Sequence, residues 1–324
     1  QMISLSVDLL GADTDERELL RGAIEALKQM PDLYLYLCGH GEVLSPALDA
    51  FPEIAGRYAV VDSPAALTNY DNPMEGYKNT DASMVKAMSL VREGAAAGVV
   101  TCGATGEVLV SSIMLLGKLK GLRPILAVEL KNAHGDPLLL LDCGANIDSR
   151  PELYLSFARL GDAYLHSIGY ANPRISLLSN GAEDTKGCEA VKEANRLLRT
   201  LPVNFIGNIE PTAALSGVTD VIVCDGFHGN ILLKSIEGVA KAVIAEINEK
   251  LPDAPQDVRE ALADVRRKYD YNTQGGAILL GVNAPVMKGH GSATGDAVTA
   301  MLSRMKTLCQ NRFIERVQGG CFGG

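Results

Sequence analysis

The chain has 324 residues, enough for one large α/β domain or two closely joined ones with a sizeable core. Its composition, 47% hydrophobic and 21% charged, is that of a globular protein and excludes the intrinsically disordered class. The net charge of −9 argues against wholesale binding to nucleic acid.

The seven cysteines are scattered without a C-x-x-C pair, so the sequence predicts neither a disulfide framework nor a metal site. We expect a reducing, cytoplasmic environment. The first residues run straight into a strand pattern, which predicts no signal peptide. No apolar run is long enough to span a membrane, which leaves peripheral attachment open.

Strand and helix patterns alternate along the first 223 residues, which predicts an α/β fold with a mostly parallel sheet. Apolar runs predict strands at 3–7, 33–37, 58–61, 99–100, 125–130, 138–141, 175–178, 204–206 and 221–223. Helical periodicity predicts helices at 16–30, 83–93, 108–120, 151–167 and 188–199. A short polar turn joins the strands at 125–130 and 138–141, so we expect an antiparallel pair there. The helix at 108–120 is apolar around most of its circumference and should be buried or packed in an interface.

Two further helical stripes, in residues 236–247 and 258–269, predict a helical hairpin over about residues 236–272. Its faces carry charges of both signs, which favours a dimer-forming or domain-covering hairpin over one that docks on a membrane. Residues 274–281 return to the sheet, a polar glycine turn follows at 288–292, and a last helix covers 298–308. We expect the tail at 319–324 to be frayed. The whole chain, residues 1–324, is predicted to be one domain, with the hairpin as an insertion or dimer element.

The segment 220–234 is the stretch around which we expect the rest of the chain to be organised. Its run Val221-Ile-Val223 is apolar at consecutive positions, which predicts a fully buried strand. Asp225-Gly226 and Gly229-Asn230 then predict a turn that can take positive φ, with a helix directly after it. Such a junction points several N–H groups into one crevice at the carboxyl edge of a parallel sheet. That crevice suits an anion, although a glycine turn serves equally often only to turn the chain.

The same pattern follows four other apolar runs, in segments 103–106, 142–146, 180–181 and 207–210. The strand ends are therefore predicted to form one shared site. Lys186, Lys234 and Lys288 each lie close to such an end, and together they predict a cationic crevice for phosphate or an acyl phosphate. Any one of these lysines alone is more often a solvated surface charge.

Two histidines are candidates for proton transfer, with His290 favoured over His228. Asp225 could orient a histidine or a lysine, or could simply form a turn. Three cysteines sit at strand ends, namely Cys102, Cys143 and Cys224. A thiolate nucleophile is conceivable there, but none has an adjacent base in sequence, which favours small buried hydrophobes.

Five segments resemble the bacterial phosphate acyltransferase family of phospholipid synthesis, PlsX, in the same order along the chain. They are Asp142-Cys-Gly-Ala-Asn-Ile-Asp148, Glu183-Asp-Thr-Lys-Gly187, Asn204-Phe-Ile-Gly-Asn-Ile-Glu210, Asp225-Gly-Phe-His-Gly-Asn230 with Lys234, and the stretch from Gly275 to Ser292. The resemblance implies a reaction of acyl-acyl carrier protein with inorganic phosphate that yields acyl phosphate and free carrier protein. It also implies a three-layer α/β/α fold like that of isocitrate and isopropylmalate dehydrogenases, with a protruding helical hairpin. A homodimer, no nucleotide cofactor and loose association with the inner face of the membrane are implied as well.

The first half departs from the family pattern at three places. Ala12 and Ala104 stand where the family has glycine and asparagine, and the family's basic cluster before the helix at 83–93 is reduced to Lys78. These losses favour an alternative, a catalytically impaired paralogue that binds acyl carrier protein or acyl phosphate without turning it over. A metal- and NAD-dependent decarboxylating dehydrogenase ranks last, since no G-x-G-x-x-G follows any strand.

The strand-end pattern and the resemblance together predict the site residues. The catalytic candidates are Lys186, His290, Asn230 and Asp225. The substrate-binding candidates are Asp8, Lys78, Gly103, Thr105, Gly106, Gly144, Asn146, Glu183, Asp184, Gly207, Asn208, Gly226, Gly229, Lys234, Lys288 and Ser292. Phosphate is expected to attack the thioester directly, while N–H groups and Asn146, Asn208 or Asn230 stabilise the oxyanion. His290 or Lys186 would protonate the leaving thiolate.

Overall fold

A computed structural model describes residues 2–270 and 275–320 and divides the chain into two compact units. The first unit comprises Gln1–Pro124 with Gly275–Gly324, and the second comprises Ile125–Gln274. Each unit contains parallel strands alternating with helices. The predicted α/β class with a mostly parallel sheet is therefore confirmed.

The strands, in chain order, are β1 (Ile3–Asp8), β2 (Leu33–Gly39), β3 (Tyr58–Asp62), β4 (Val99–Thr101), β5 (Ile125–Lys131), β6 (Pro137–Leu141), β7 (Ile175–Leu178), β8 (Phe205–Ile209), β9 (Val221–Val223), β10 (Ala277–Leu280) and β11 (Val286–Lys288). The helices are α1 (Glu16–Gln29), α2 (Gly41–Asp49), α3 (Pro73–Gly76), α4 (Ser83–Arg92), α5 (Thr105–Ser111), α6 (Pro151–Ser167), α7 (Glu189–Leu198), α8 (Gly226–Lys250), α9 (Gln256–Tyr269), α10 (Gly295–Gln310) and α11 (Phe313–Gly320).

In the first unit the strand order is β3-β2-β1-β4-β11-β10, and only β10 runs antiparallel to its neighbour β11. Thr101 is the last residue of β4, and it is in register with Asp8 at the end of β1 and with Lys288 at the end of β11. The polar residues that end these strands are therefore level with one another at one edge of the sheet.

In the second unit the order is β5-β6-β9-β7-β8, with an antiparallel β5–β6 pair as predicted and parallel pairing elsewhere. Val223 pairs with Leu141 on one side and with Leu177 on the other. All three residues of β9 are fully buried, which confirms the prediction from their unbroken apolar run. The loops after β6, β7 and β9 consequently leave the sheet side by side.

The first unit joins segments from the two ends of the sequence through α1 and α10. Asp15 caps α1 by accepting a hydrogen bond from the Arg17 N–H, and Thr294 caps α10 through the Ala297 N–H. The two helices cross so closely that a Cβ on Gly22 would overlap the main chain of Gly295. Glycine at the crossing lets the backbones come together without an intervening side chain.

Two predicted elements differ from the structure. The helix expected at 108–120 ends at Ser111, and a single π-helical turn, Ser112–Leu116, follows it before Gly117 takes a positive φ of 79°. Most of its apolar side chains are partly exposed within the described residues, and Met114 is 47% exposed, so of the two predicted environments packing in an interface stays a prediction. The helices α2, α3 and α11 and the strand β11 were not predicted, because they are short or lack a clear apolar period.

The predicted turn at 225–230 is the second correction. Gly226, Gly229 and Asn230 lie inside the first turns of α8, and neither glycine has a positive φ. Glycine is required at these positions, but it is required for close packing and not for a positive φ. Asp225 ends the strand by capping the helix directly, since its side chain accepts hydrogen bonds from the N–H groups of Phe227 and His228.

The predicted helical hairpin is present as α8 and α9. Within residues 2–270 and 275–320 its apolar stripes are largely uncovered, since α9 has no buried residue and Val239 of α8 is 62% exposed, while Ile244 of α8 is buried. Residues 271 and 272 of the predicted hairpin lie outside the described residues, as do residues 321–324 of the tail predicted to be frayed.

Candidate functional site

The buried carboxylate of Asp8 is the centre of the polar cluster at the strand ends of the first unit. Ser83 Oγ, at the start of α4, donates to Asp8 Oδ1 over 2.5 Å, and Thr101 Oγ1 donates to Oδ2 over 2.7 Å. The Leu10 N–H also donates to Oδ1. The N–H of Gly103 in turn donates to Thr101 Oγ1 over 3.0 Å, so the glycine loop after β4 is tied to the same group.

Burial raises the pKa of Asp8 to about 6, and the hydrogen bonds from Ser83, Thr101 and Leu10 only partly oppose this. The side chain therefore changes protonation just below neutral pH. A carboxylate in this state can hold the neighbouring loops in one arrangement when it is ionised and exchange a proton when it is not.

The end of β11 and the glycine turn after it carry three of the predicted site residues. His290 Nδ1 lies 2.8 Å from Ser292 Oγ and also accepts from the Ser292 N–H over 3.2 Å. The Lys288 ammonium donates to the Gly289 carbonyl over 2.7 Å. The Gly289 N–H donates to the Thr101 carbonyl, which places this turn beside the end of β4. The first unit therefore brings Asp8, Gly103 and the 288–292 turn to one edge of its sheet.

The remaining predicted residues of this unit are more exposed. Lys78 pairs with Glu75 over 2.9 Å at the surface. Thr105 and Gly106 are exposed residues of the first turn of α5. Ala104, directly before them, occupies the N-cap of this helix and makes no side-chain capping bond.

Glu107, in the same helix, has an unusual environment that sequence reasoning did not find. Its side chain is 1% exposed, and neither carboxylate oxygen has a hydrogen-bond partner among the described residues. A Cβ on Gly76 would clash with it, so α3 packs directly on the carboxyl group. Burial, with a smaller contribution from Asp71, raises the pKa of Glu107.

In the second unit, Asp142 organises the loop after β6. Its Oδ2 accepts from the Asn146 N–H over 2.7 Å and from Asn146 Nδ2 over 2.8 Å, while Oδ1 accepts from the N–H groups of Leu126, Gly144 and Ala145. Asp142 is fully buried, and burial raises its pKa despite these donors. Gly144 and Asn146 were predicted to bind substrate. Part of their hydrogen-bonding capacity is therefore used to hold their own loop on Asp142.

The N-terminus of α8 packs directly on this loop. The Gly226 N–H donates to the Asn146 carbonyl over 2.6 Å, and a Cβ on Gly226 would stand 2.6 Å from the same oxygen. A Cβ on Gly229 would overlap the Asp142 carbonyl oxygen. Only glycine fits at these two positions, so their role is to bring the helix against the loop.

The loop after β7 and the end of β8 form a third polar group. Asn208 Nδ2 donates to the Glu183 carbonyl over 2.9 Å, and its Oδ1 accepts from Asn195 Nδ2 over 2.8 Å. Asp184 pairs with Arg199 over 2.5 Å, and Gly207 has a positive φ of 106°. Asn208 and Asp184 are thus held in a network that fixes the loop.

Lys186 differs from the other predicted cations of this unit. Its ammonium is exposed and makes no ion pair or side-chain hydrogen bond within residues 2–270 and 275–320. Lys234, by contrast, pairs with the buried Glu237 over 3.4 Å, and Asn230 is an exposed residue of α8. Lys186 is therefore the cation best able to meet an incoming anion.

A cavity of about 560 Å³ lies at the ends of β7 and β9, close to Lys186 in sequence. Its apolar wall includes Leu178, Val191, Ile231 and Leu232. The polar lining residues are Tyr154, Ser179, Asn180, Cys188, Asp225, His228 and Ser235. A pocket with an apolar wall and a few polar groups at one end suits a small organic substrate.

Asp225 and His228 form the closest acid–base pair on this cavity. His228 Nδ1 lies 2.6 Å from Asp225 Oδ2, and the Tyr154 hydroxyl donates to the same oxygen over 3.4 Å. The sequence analysis ranked His228 below His290 and left it out of the site. The available signal was the three-residue spacing, which places the two side chains on one face of a helix.

The three strand-end cysteines are buried, as predicted. Burial raises the pKa of Cys102 to about 12, and it raises the pKa values of Cys143 and Cys224 well above their usual range. These groups are therefore neutral thiols at physiological pH and not nucleophiles.

Two features are absent from residues 2–270 and 275–320. No group of three or more His, Cys, Asp or Glu side chains is placed to hold a metal ion. No helix in these ranges has the length and apolar character needed to cross a bilayer.

Comparison with known proteins identifies the family of this chain. Residues 3–316 match the family model described as "Fatty acid synthesis protein". The chain is 36% identical to a phosphate acyltransferase from Lysinibacillus sphaericus and 35% identical to one from Shouchella clausii, in each case over 97% of both chains. The chain belongs to the phosphate acyltransferase family. It is therefore an enzyme of the transferase class.

Solved structures of other proteins share the fold of this chain. A phosphotransacetylase from Streptococcus pyogenes aligns with a TM-score of 0.63 over 96% of this chain and 94% of its own, at 18% identity. At that identity the likeness establishes the fold alone.

Proposed function

We propose that this chain transfers an acyl group from acyl-acyl carrier protein to inorganic phosphate, and that its acyl phosphate product feeds phospholipid synthesis. The transfer requires an electrophilic thioester, a phosphate and donors that stabilise the oxyanion. The observation that carries the proposal is the cavity of the second unit, whose loop 179–188 also supplies Lys186.

The residues of the second unit divide between substrate binding and support. Lys186 would bind the phosphate dianion, because it is the exposed cation of this loop. Asn230 is exposed on α8 and would stabilise the oxyanion. Asn146 and Asn208 make hydrogen bonds that fix their loops, so we assign them to support.

In the first unit, Asp8 would hold the glycine loop 103–106 in place through Thr101. Lys288 at the end of β11, and His290 and Ser292 on the turn after it, stay candidate anion-binding groups of the first unit. Ala12 and Ala104 replace family residues, which supports a second candidate function. This candidate is an impaired paralogue that binds acyl carrier protein without turnover. The uncapped N-terminus of α5 at Ala104 favours it, because an asparagine there would supply a further amide donor.

One experiment separates the two functions. Purified protein is mixed with acyl-acyl carrier protein and phosphate, hydroxylamine traps any acyl phosphate, and mass spectrometry detects the acyl hydroxamate. Acyl coenzyme A with the same chain serves as the second donor. Phosphate-dependent hydroxamate from the carrier protein thioester supports the enzyme. Stoichiometric binding of carrier protein with no hydroxamate from either donor supports the impaired paralogue.

We further propose that the chain is a homodimer in the cytoplasm and that the hairpin of α8 and α9 is part of its interface. The exposed apolar side chains of these helices support this, among them Val239, Val243, Val258 and Val265. Light scattering after size exclusion should give twice the chain mass, and Val243→Glu should lower it. A monomer that floats with anionic vesicles would instead assign the hairpin to the membrane surface.

A further inference from the structure

We propose that His228, held by Asp225, is the acid–base residue that carries a proton from the attacking phosphate to the leaving thiolate. This inference rests on the proposed function and names a catalytic group for it. It displaces His290 and Lys186, the candidates that sequence reasoning favoured for this step.

The geometry of the pair fixes how the imidazole is used. The Asp225 carboxylate lies 2.6 Å from His228 Nδ1, so the proton of the neutral ring resides on Nδ1 and Nε2 is left as the basic nitrogen. The other oxygen of Asp225, Oδ1, accepts from the N–H groups of Phe227 and His228. The carboxylate is therefore immobilised by the helix that also carries the histidine.

The position of the pair matches the substrate. His228 lines the cavity of about 560 Å³, and its side chain is 63% exposed, so Nε2 is accessible to a bound molecule. The apolar wall of that cavity suits the carbon chain beside a thioester. In His290, by contrast, Nδ1 accepts from the Ser292 N–H, so the proton of the neutral ring resides on Nε2 and that nitrogen is not basic.

The other titratable groups on this cavity do not compete with His228. They are Tyr154 from α6, Cys188 before α7, Cys224 after β9 and Asp225 itself. Burial, with a smaller contribution from Asp225, raises the pKa of Tyr154. Burial likewise raises the pKa of Cys224. Cys188 is exposed at the start of α7.

The step balances in atoms and charge. An oxygen of monohydrogen phosphate attacks the thioester carbon while its proton passes to His228 Nε2. The tetrahedral intermediate then collapses, the carbon–sulfur bond breaks, and the imidazolium returns the proton to the thiolate. The products are the acyl phosphate dianion and the free thiol of the carrier, and His228 is neutral again.

The test compares leaving groups that differ in their need for a proton. His228→Gln should lower kcat about 100-fold or more with the carrier protein thioester. With an acyl thioester of an acidic aromatic thiol, whose thiolate leaves unprotonated, the same variant should come within about tenfold of wild type. The limb of the pH–rate profile that reports the base should also disappear in this variant.

Two further variants complete the design. Asp225→Asn keeps a side chain that caps α8, but its amide donates to Nδ1 and reverses the tautomer, so kcat should fall while the melting temperature holds. His166→Gln is the matched control, because His166 is also an exposed helical histidine beside an aspartate, Asp162, over 3.4 Å. It should behave as wild type.

Each outcome has one meaning. Wild-type protein that yields no acyl phosphate overturns the proposed function and, with it, the role of His228 that rests on it. Active wild type with His228→Gln within threefold of it on the carrier protein thioester overturns the role of His228 alone. An equal loss for both leaving groups also overturns it, since a merely structural defect would not depend on the thiol.

Discussion

Gly229, on the first turn of α8, lies in contact with the main-chain carbonyl of Asp142 at the end of β6. The contact joins the start of α8 to the loop after β6, which is distant from it in sequence. It explains why a glycine stands inside a helix, where it costs conformational entropy. The packing of α8 on the 142–146 loop therefore depends on the absence of a side chain.

Replacing Gly229 with alanine should destabilise the protein by roughly 1–3 kcal/mol, because the new methyl group has no space beside a main-chain carbonyl. Gly238→Ala is the matched control, since Gly238 lies in the same helix and its Cβ would meet nothing within 4 Å. The control should stabilise by roughly 0.5–1 kcal/mol through helix propensity. Urea unfolding of the two variants measures both effects, and equal changes would refute the packing role.

Asp8 should make stability depend on pH. Its pKa rises from 3.8 to about 6 in the fold because it is buried, so the stability it contributes is present below pH 4 and is lost as pH rises through 6. The difference corresponds to about 3 kcal/mol. Asp8→Asn should remove this decline when the free energy of unfolding is measured from pH 4 to pH 7. A variant curve that runs parallel to wild type would contradict the assignment.

The buried carboxyl of Glu107 should lower the stability of the folded protein. Its folded pKa is raised, so its contribution is lost as pH rises above the ordinary glutamate pKa. Glu107→Met removes the unpartnered oxygens and should stabilise the protein by about 1–3 kcal/mol at pH 7, with a smaller gain at pH 4. Glu107→Gln leaves polar atoms in the same place and should gain less. Thermal unfolding at both pH values is the measurement, and a loss of stability in the methionine variant would show that the carboxyl has a partner.

Lys186 should determine the affinity for phosphate. Lys186→Met should raise the KM for phosphate about 10- to 100-fold, since a hydrogen bond between charged groups contributes roughly 1.5–3 kcal/mol. Lys192→Met, which breaks an exposed pair with Glu189 on the neighbouring helix, should leave KM unchanged. Steady-state kinetics with varied phosphate distinguish them. Equal KM values for both variants would remove Lys186 from the site.

The sequence predicted the elements better than the contacts made by their polar residues. Unbroken apolar runs such as Val221–Val223 identify buried strands, because the local pattern reflects burial on both faces. The pairing of Asp184 with Arg199 depends on where β7 and α7 meet, which no local pattern encodes. His228 was undervalued for the same reason. The role proposed for His228 depends on its position on the cavity that α6, β7 and α8 line together.

Departures from the expected elements also have local causes. The 108–120 helix was expected from apolar content alone, yet Gly117 stops it, and the preceding turn widens into a π-helix. At 225–230 the glycines were interpreted as turn formers, because a sequence cannot distinguish a glycine needed for its backbone angles from one needed for its small size.

The crossing of α1 and α10 at Gly22 and Gly295 has a consequence for biosynthesis. Residues 125–274 form a unit from one continuous stretch, whereas the first unit lacks β11 and α10 until residues 275–310 have been translated. On the ribosome, the later segment of sequence therefore completes its fold before the earlier one. Until then β4 has an open edge where β11 will pair, and an unpaired strand edge can pair with other chains.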